Sequence, residues 1–486
     1  MANFAKIEQL VKSRMEAFAV PSISLGVVKG EEVVYQGFFG YRDMENKLVP
    51  NAQTRYACAS VTKAMTATCL GMLKDEGKVD WDTSVIEYLP EFRMYDEYAT
   101  QHVTLRDMLS HNTGLPRHDQ SWYNWGGESL TTAEYVERVR YFKPNKGFRG
   151  GYEYNNFMFT VAGYIVERLS GMPWGQFITE RLFEPLGMSN TTTVIDGLRL
   201  ADNRALPYVR KNGKPAPTGY NNFNGMAGCG CVNSTVEDMV KLSAFNIGKG
   251  EYKGKRLVSE KVMNEIHAPR NVVPAIPGIF NPEMPMAAYG FGWGVLPFRG
   301  RLCLQHSGGI DGFSSYFTFM PNEKIGIIVF ANLEVTSFHR AVAAAVYDLM
   351  LGVEEEKDWP ATYAAMDEVN LSALKKENDK VLAAVKADAP CTHALADYAG
   401  LYTNPGYGTV KVTFEGGVLK STFNGMTWPL EHSNYDSFRV TYDVDSIPQM
   451  VPFTFRLAEA GDIAALEARM EPSLKEPIIF TKEKEA

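Results

Sequence analysis

The feature that most constrains the fold of this chain is a change of character at residue 353. Glu354-Glu355-Glu356-Lys357-Asp358 opens a charged, helix-prone run that continues to Asp388-Ala389-Pro390. Before it, segments with helical and strand periodicity alternate. After it, short strand-like segments follow one another: Gly408–Phe414, Val418–Phe423, Phe438–Thr441 and Phe453–Arg456. Alternating patterns call for a sheet flanked by helices, whereas many short strands at regular spacing call for a small barrel or sandwich. The expected organisation is therefore α+β over 1–352, a charged helical connector over 353–393, and a β-barrel over 394–486. At 486 residues, two or three domains with ample core are expected.

Within the first part, Ile23–Val28 and Val33–Phe38 flank Lys29-Gly30-Glu31-Glu32 and read as a hairpin. Residues 1–20 read as a helix, with further helices at 132–141, 156–170 and 174–183; turn-rich sequence dominates 200–233. Ser234 is read as the N-cap of a helix whose first turn holds Glu237 and Asp238. The strand-like segments of 289–335 suggest consecutive antiparallel strands, followed by a helix over Ala341–Leu351.

Composition excludes some functions. The net charge of −8 argues against a nucleic-acid surface as the main business. No apolar run is long enough to cross a bilayer. The first ten residues lack an apolar core followed by a small-residue cleavage site, so the expectation is a cytoplasmic protein without a signal peptide. Six scattered cysteines indicate no disulfide framework, and Cys229-Gly230-Cys231 is poor zinc spacing. No metal-protease, phosphate-loop or dinucleotide motif is present, so no metal or cofactor is expected.

The chemistry-bearing stretch is Tyr56-Ala57-Cys58-Ala59-Ser60-Val61-Thr62-Lys63, which leads into a helix-favouring run. Ser60 and Lys63 lie three apart, on one helical face. A serine hydroxyl needs a base to act as a nucleophile, and a lysine serves when its environment disfavours the ammonium. The motif alone is weak: Ser372-x-x-Lys375 repeats it inside a solvated charged run. Cys58 competes as a thiol nucleophile but has no base at helical spacing.

Ser60-x-x-Lys63, Tyr154-Asn155-Asn156 and His306-Ser307-Gly308 follow in that order, with Leu109–Pro116, Ser234–Met239 and Tyr289–Trp293 in support. Together they resemble the serine β-lactamase and penicillin-binding-protein superfamily, on its class C, D-peptidase and esterase side, over roughly residues 5–350. Residues 394–486, with Tyr398-Ala399-Gly400-Leu401-Tyr402, resemble the lipocalin-like barrel that follows this domain in some members. The resemblance implies Ser60, Lys63 and Tyr154 as catalytic residues. It implies Asn156, His306, Ser307, Gly308 and Gly309 at the substrate, with the N–H groups of Ser60 and Gly309 as the oxyanion hole. Tyr220-Asn221-Asn222 repeats the second motif in a loop and is the weaker candidate. His306 stands where many relatives carry lysine, which weakens recognition of a substrate carboxylate at neutral pH. The implied function is a serine hydrolase working through an acyl-Ser60 intermediate on small peptides, including D-residue peptides, on amides or on esters. β-Lactam hydrolysis and a catalytically silent binding or assembly scaffold are the alternatives. The expected partner is a small molecule or short peptide, with no nucleic acid and no membrane; a homo-oligomer built through the barrel is a further hypothesis.

Overall fold

The computed structural model describes residues 3–124, 128–275, 281–355, 357–386, 388–442 and 448–484. Among these residues an eight-stranded antiparallel sheet runs in the spatial order Glu32–Gly40, Ser22–Lys29, Ile325–Ala331, Phe313–Met320, Arg301–Ile310, Gly294–Phe298, Ala287–Tyr289, Asn271–Val273. The N-terminal hairpin thus pairs with a strand some 300 residues later, Ile23 opposite Ala331.

The strand Ile325–Ala331 is apolar along its length because both faces of the sheet are covered. Ile325, Ile327 and Val329 pack with Phe338, Val342 and Val346 of the helix Phe338–Leu351. Ile328 and Phe330 face the opposite way, toward Val236 and Val240 of the helix Val236–Ile247. Each fully buried side chain of this size contributes about 1.5–3 kcal/mol. The approach of the second helix requires glycine: a Cβ on Gly26 would lie 2.7 Å from methyls of Val236 and Val240. The helical part rests on Phe157–Ser170, which packs against Thr62–Asp75 and Thr132–Arg138.

The helix Trp359–Ala383 packs on Phe338–Leu351 and on the strand Gln449–Leu457. Beyond it, nine antiparallel strands form a nearly closed barrel among the described residues. Alternation sets its inside: Phe438, Val440 and Tyr442 are buried along Ser437–Tyr442, and Leu419 and Phe423 along Val418–Phe423. Glu415 and Val418 pair across the expected Gly416-Gly417 turn. The α+β class and the C-terminal barrel agree with the sequence reading.

Several local readings change. The first helix spans only Ala5–Arg14; the chain then turns, with Ala19 at φ +53°. Thr235, not Ser234, caps the helix at Val236, accepting from the Asp238 N–H at 3.2 Å. Ser234 is instead in a short strand pairing with Tyr56. Within 200–233 a hairpin forms, Tyr208–Lys211 with Lys214–Pro217, about Asn212-Gly213 at φ +50° and +76°.

Candidate active site

Ser60 sits in a single tight turn, Ala59–Val61, between the strand Tyr56–Ala57 and the helix Thr62–Asp75. The turn is gripped by three hydrogen bonds from two neighbours, Val232 and Ser315. Cys58 N–H donates to the Val232 carbonyl at 2.9 Å, Thr62 Oγ1 accepts from Val232 N–H at 3.1 Å, and Ser315 Oγ donates to the Cys58 carbonyl at 2.7 Å. Ala59 is held at φ +47°, a conformation that costs a non-glycine residue about 1–2 kcal/mol and persists only where the surroundings enforce it.

Lys63 is fully buried, and its Nζ reaches Ser60 Oγ at 3.1 Å, Asn156 Oδ1 at 2.7 Å and the Cys229 carbonyl at 2.8 Å. The Asn156 and Cys229 oxygens can only accept, so they take two N–H bonds of Lys63, and the remaining position of the nitrogen faces Ser60 Oγ. The nitrogen also lies 5.0 Å from the centre of the Tyr154 ring.

Asn155 and Asn156 divide the work of the second motif. Asn155 Oδ1 accepts from the Met158 N–H at 3.0 Å, and its Nδ2 donates to the Pro116 carbonyl, so it fixes the start of the helix Phe157–Ser170. Asn156 Oδ1 holds Lys63, and its Nδ2 donates to Asp119 Oδ1 at 2.8 Å. Asp119 also accepts from Trp122 Nε1 at 2.9 Å and pairs with Arg117 at 2.8 Å. Burial alone would raise the Asp119 carboxyl; the Arg117 guanidinium and the hydrogen bonds from Arg117, Asn156 and Trp122 outweigh it and hold the group below its ordinary value. The Arg117 guanidinium lies 4.7 Å from the centre of the Tyr154 ring. Tyr220 is elsewhere, its hydroxyl 3.5 Å from the Ala205 carbonyl.

The third wall is the strand Arg301–Ile310. It pairs with Gly294–Phe298 only as far as Gln305, so among the described residues one edge from His306 onward has no strand on it and faces the Ser60 turn. Gly308 is not on the cavity. A Cβ there would lie 2.1 Å from the Cys58 carbonyl oxygen, so this glycine lets the strand press against the turn. Gly309 does line the cavity, where an added Cβ would meet nothing closer than 4.0 Å. His306 is a neutral ring: burial first, then the Lys63 charge, brings its pKa down from 6.5 to about 3. Its Nδ1 lies 2.7 Å from the Ser307 carbonyl, which can only accept, so Nδ1 carries the proton. Nε2 then accepts from the Tyr289 hydroxyl at 2.7 Å. Ser307 Oγ accepts from Arg340 Nη2 at 2.9 Å.

Ser60, Tyr154, Asn156, His306, Ser307 and Gly309 border one cavity of about 330 Å³. A second, of about 180 Å³, adjoins it across Tyr154, His306 and Ser307 and reaches Leu296 and Arg340. Cys58 is fully buried, and burial pushes its thiol far up, which removes it as a competing nucleophile. The sequence reading missed Arg117, Asp119 and Trp122, which also line the main cavity. They follow the supporting motif Leu109–Pro116, and no spacing rule ties them to Asn156. Among the described residues no group of three or more His, Cys, Asp or Glu side chains could hold a metal ion, and no helix is long and apolar enough to cross a membrane.

The fold is that of the β-lactamase-like proteins. The chain belongs to the Beta-lactamase family, which matches residues 7–350; a domain of unknown function (DUF3471) matches residues 384–482. It is 28% identical to the unguisins hydrolase ungD' of Aspergillus campestris over 98% of this chain and 91% of that protein. It is 26% identical to penicillin-binding protein 4* of Bacillus subtilis, over 67% of this chain and 71% of that protein. Among solved structures, the octameric penicillin-binding protein homologue from Pyrococcus abyssi matches 98% of this chain and 100% of its own, with a TM-score of 0.63 at 22% identity. The D-amino acid amidase of Ochrobactrum anthropi matches 72% of this chain and 100% of its own, with a TM-score of 0.58 at 24% identity.

Proposed function

We propose that this protein is a serine hydrolase that acts through an acyl-Ser60 intermediate on small peptides, including D-residue peptides, on amides or on esters. The observation that carries the reading is Lys63 Nζ at 3.1 Å from Ser60 Oγ beside an open cavity. Ser60 Oγ attacks the substrate carbonyl carbon while Lys63, with Tyr154, takes its proton. The negative charge that develops on the carbonyl oxygen is received by the N–H groups of Ser60 and Gly309, each such donor being worth about 3 kcal/mol to the transition state. Tyr154 returns the proton to the leaving amine or alcohol as the carbonyl–leaving-group bond breaks. Water then attacks the Ser60 ester, with the same groups moving protons in reverse. Asn156 holds Lys63 and meets the substrate amide; Ser307 and the free edge after His306 seat the rest of the substrate.

Amide and peptide chemistry is supported by relatives named a hydrolase of unguisins and a D-amino acid amidase. A neutral His306 offers no charge to a substrate carboxylate, which weighs against dedicated β-lactam hydrolysis. The catalytic unit is assigned to 1–352, the connector to 353–393 and the barrel to 394–486. The octameric relative supports a homo-oligomer, and a monomeric mass by light scattering would remove that part. The functional test is turnover of p-nitrophenyl acetate, a D-alanyl dipeptide ester and a penicillin by wild type and Ser60→Ala. Turnover lost in Ser60→Ala supports the reading, and the relative rates order the substrate classes. Equal rates in the two proteins would refute it.

A further inference from the structure

The barrel touches the loop that carries Arg117 and Asp119 at both backbone polar groups of one residue, Gln120. The Gln120 N–H donates to Glu471 Oε1, and the Gln120 carbonyl accepts from Asn424 Nδ2 at 2.5 Å. On the other side of Asp119, His118 Nε2 lies 3.2 Å from the Lys143 carbonyl and so carries the ring proton. Its Nδ1 then accepts from the Tyr407 hydroxyl at 2.6 Å, and the ring stacks on Phe142 with centres 4.5 Å apart. His118 has φ +55°, a left-handed conformation that a histidine adopts only when held. That turn brings the Asp119 carboxylate onto Asn156, Trp122 and Arg117.

We propose that the barrel is a working part of the catalytic unit: Glu471, with Asn424 and Tyr407, is a positioning residue that holds the loop 117–121 so that Asp119 keeps Asn156 against Lys63. The inference rests on the reading of Ser60 and Lys63 as nucleophile and base. The chain of contacts is continuous from Glu471 through Gln120, Asp119, Asn156 and Lys63 to Ser60. Glu471 is 6% exposed, so its partner on the loop is not replaced by water. Other contacts between the two parts have a different character. Lys143–Glu476, at 3.1 Å, is an exposed ion pair on the rim and is worth little to either part. Docking alone would be served by such rim contacts. A buried carboxyl aimed at the backbone beside Asp119 serves the cavity wall.

The test uses the full chain as wild type, Glu471→Ala, Glu471→Gln, Asn424→Ala, Glu476→Ala and Ser60→Ala. Two quantities are read: amide hydrogen exchange of the peptide spanning 117–124, and the rate at which a fluorophosphonate labels Ser60. Glu471→Ala is expected to speed exchange of that peptide and to slow labelling about 10- to 100-fold, the scale on which a misplaced catalytic group loses rate. Glu471→Gln, which keeps the acceptor oxygen, is expected to restore both, and Glu476→Ala to change neither. If Glu471→Ala does not fold, Asn424→Ala is read by the same two measures. Labelling at the wild-type rate in a folded Glu471→Ala or Asn424→Ala protein overturns the inference, whether or not exchange rises. Failure of the wild type itself to label at Ser60 would instead sink the hydrolase reading, while the exchange data would still report on the loop.

Discussion

Asn156 accepts a hydrogen bond from Lys63 Nζ at 2.7 Å and, through its other amide atom, donates to Asp119 at 2.8 Å. The amide is therefore fixed in orientation from both sides. With its acceptor committed to Lys63, the lysine nitrogen is held where Ser60 Oγ is also in reach, 3.1 Å away.

Lys63→Met removes the nitrogen while keeping an unbranched side chain of similar length in a fully buried site. Loss of a positioned base typically costs 10²–10⁴-fold in rate. The expected result is a fall of about 1,000-fold in kcat for p-nitrophenyl acetate, with the folded state preserved by circular dichroism. A fall of less than about tenfold would mean another group takes the Ser60 proton.

Gly308 and Gly309 are neighbours with opposite tolerances. Alanine at 308 places a Cβ 2.1 Å from the Cys58 carbonyl oxygen, a backbone atom that cannot step aside without moving the Ser60 turn. Gly308→Ala is expected to destabilise by about 1–3 kcal/mol and to lose activity. Gly309→Ala, with its nearest neighbour at 4.0 Å, is expected to melt close to wild type. Thermal melts of the two variants side by side decide it, and equal losses would contradict the close approach seen at Gly308.

His306, held near 3 rather than 6.5, is neutral through the range in which imidazoles usually titrate. The unfolded chain binds its proton between those values and the folded chain does not. Its contribution to stability is thus complete above 6.5 and is lost as pH falls toward 3. Stability should rise with pH across that window, less steeply in His306→Asn. The pH profile of kcat/KM should show no His306 inflection near 6.5; an inflection abolished by His306→Asn would contradict the neutral ring.

Glu471 titrates in the opposite sense. Burial first, then the charge of Asp119, pushes its carboxyl from 4.5 up to about 8, with the Arg117 cation acting the other way. Tyr407 and Tyr442 face it from the barrel. The folded chain keeps a proton that the unfolded chain releases, so its contribution is complete below 4.5 and is lost as pH rises through about 8. Glu471→Gln should flatten the decline in melting temperature over that window. An unchanged slope would place the titrating group elsewhere.

The two halves of the fold were legible because their periodicities differ and because Glu415-Gly416-Gly417 and Lys29-Gly30 are strong turn signals. Cap positions were less so: Ser234 and Thr235 are both good caps, and only the pairing of Ser234 with Tyr56 decides between them. At the site, Ser60 and Lys63 share one helix face, so their spacing carried the information. Asp119 reaches Asn156 across 37 residues, and Glu471 reaches Gln120 across 351, through tertiary packing that leaves no mark in local sequence. Gly308 shows a related limit of local sequence. A glycine in a strand signals a close approach, but the sequence does not say whether ligand or backbone approaches it.

The most direct measurement is the mass of the tryptic peptide containing Ser60 after brief exposure of the protein to a fluorophosphonate. The expected result is one adduct per chain on Ser60, absent in Ser60→Ala and strongly slowed in Lys63→Met. A folded wild-type protein that gains no adduct, or gains it on another residue, would contradict Ser60 as the nucleophile.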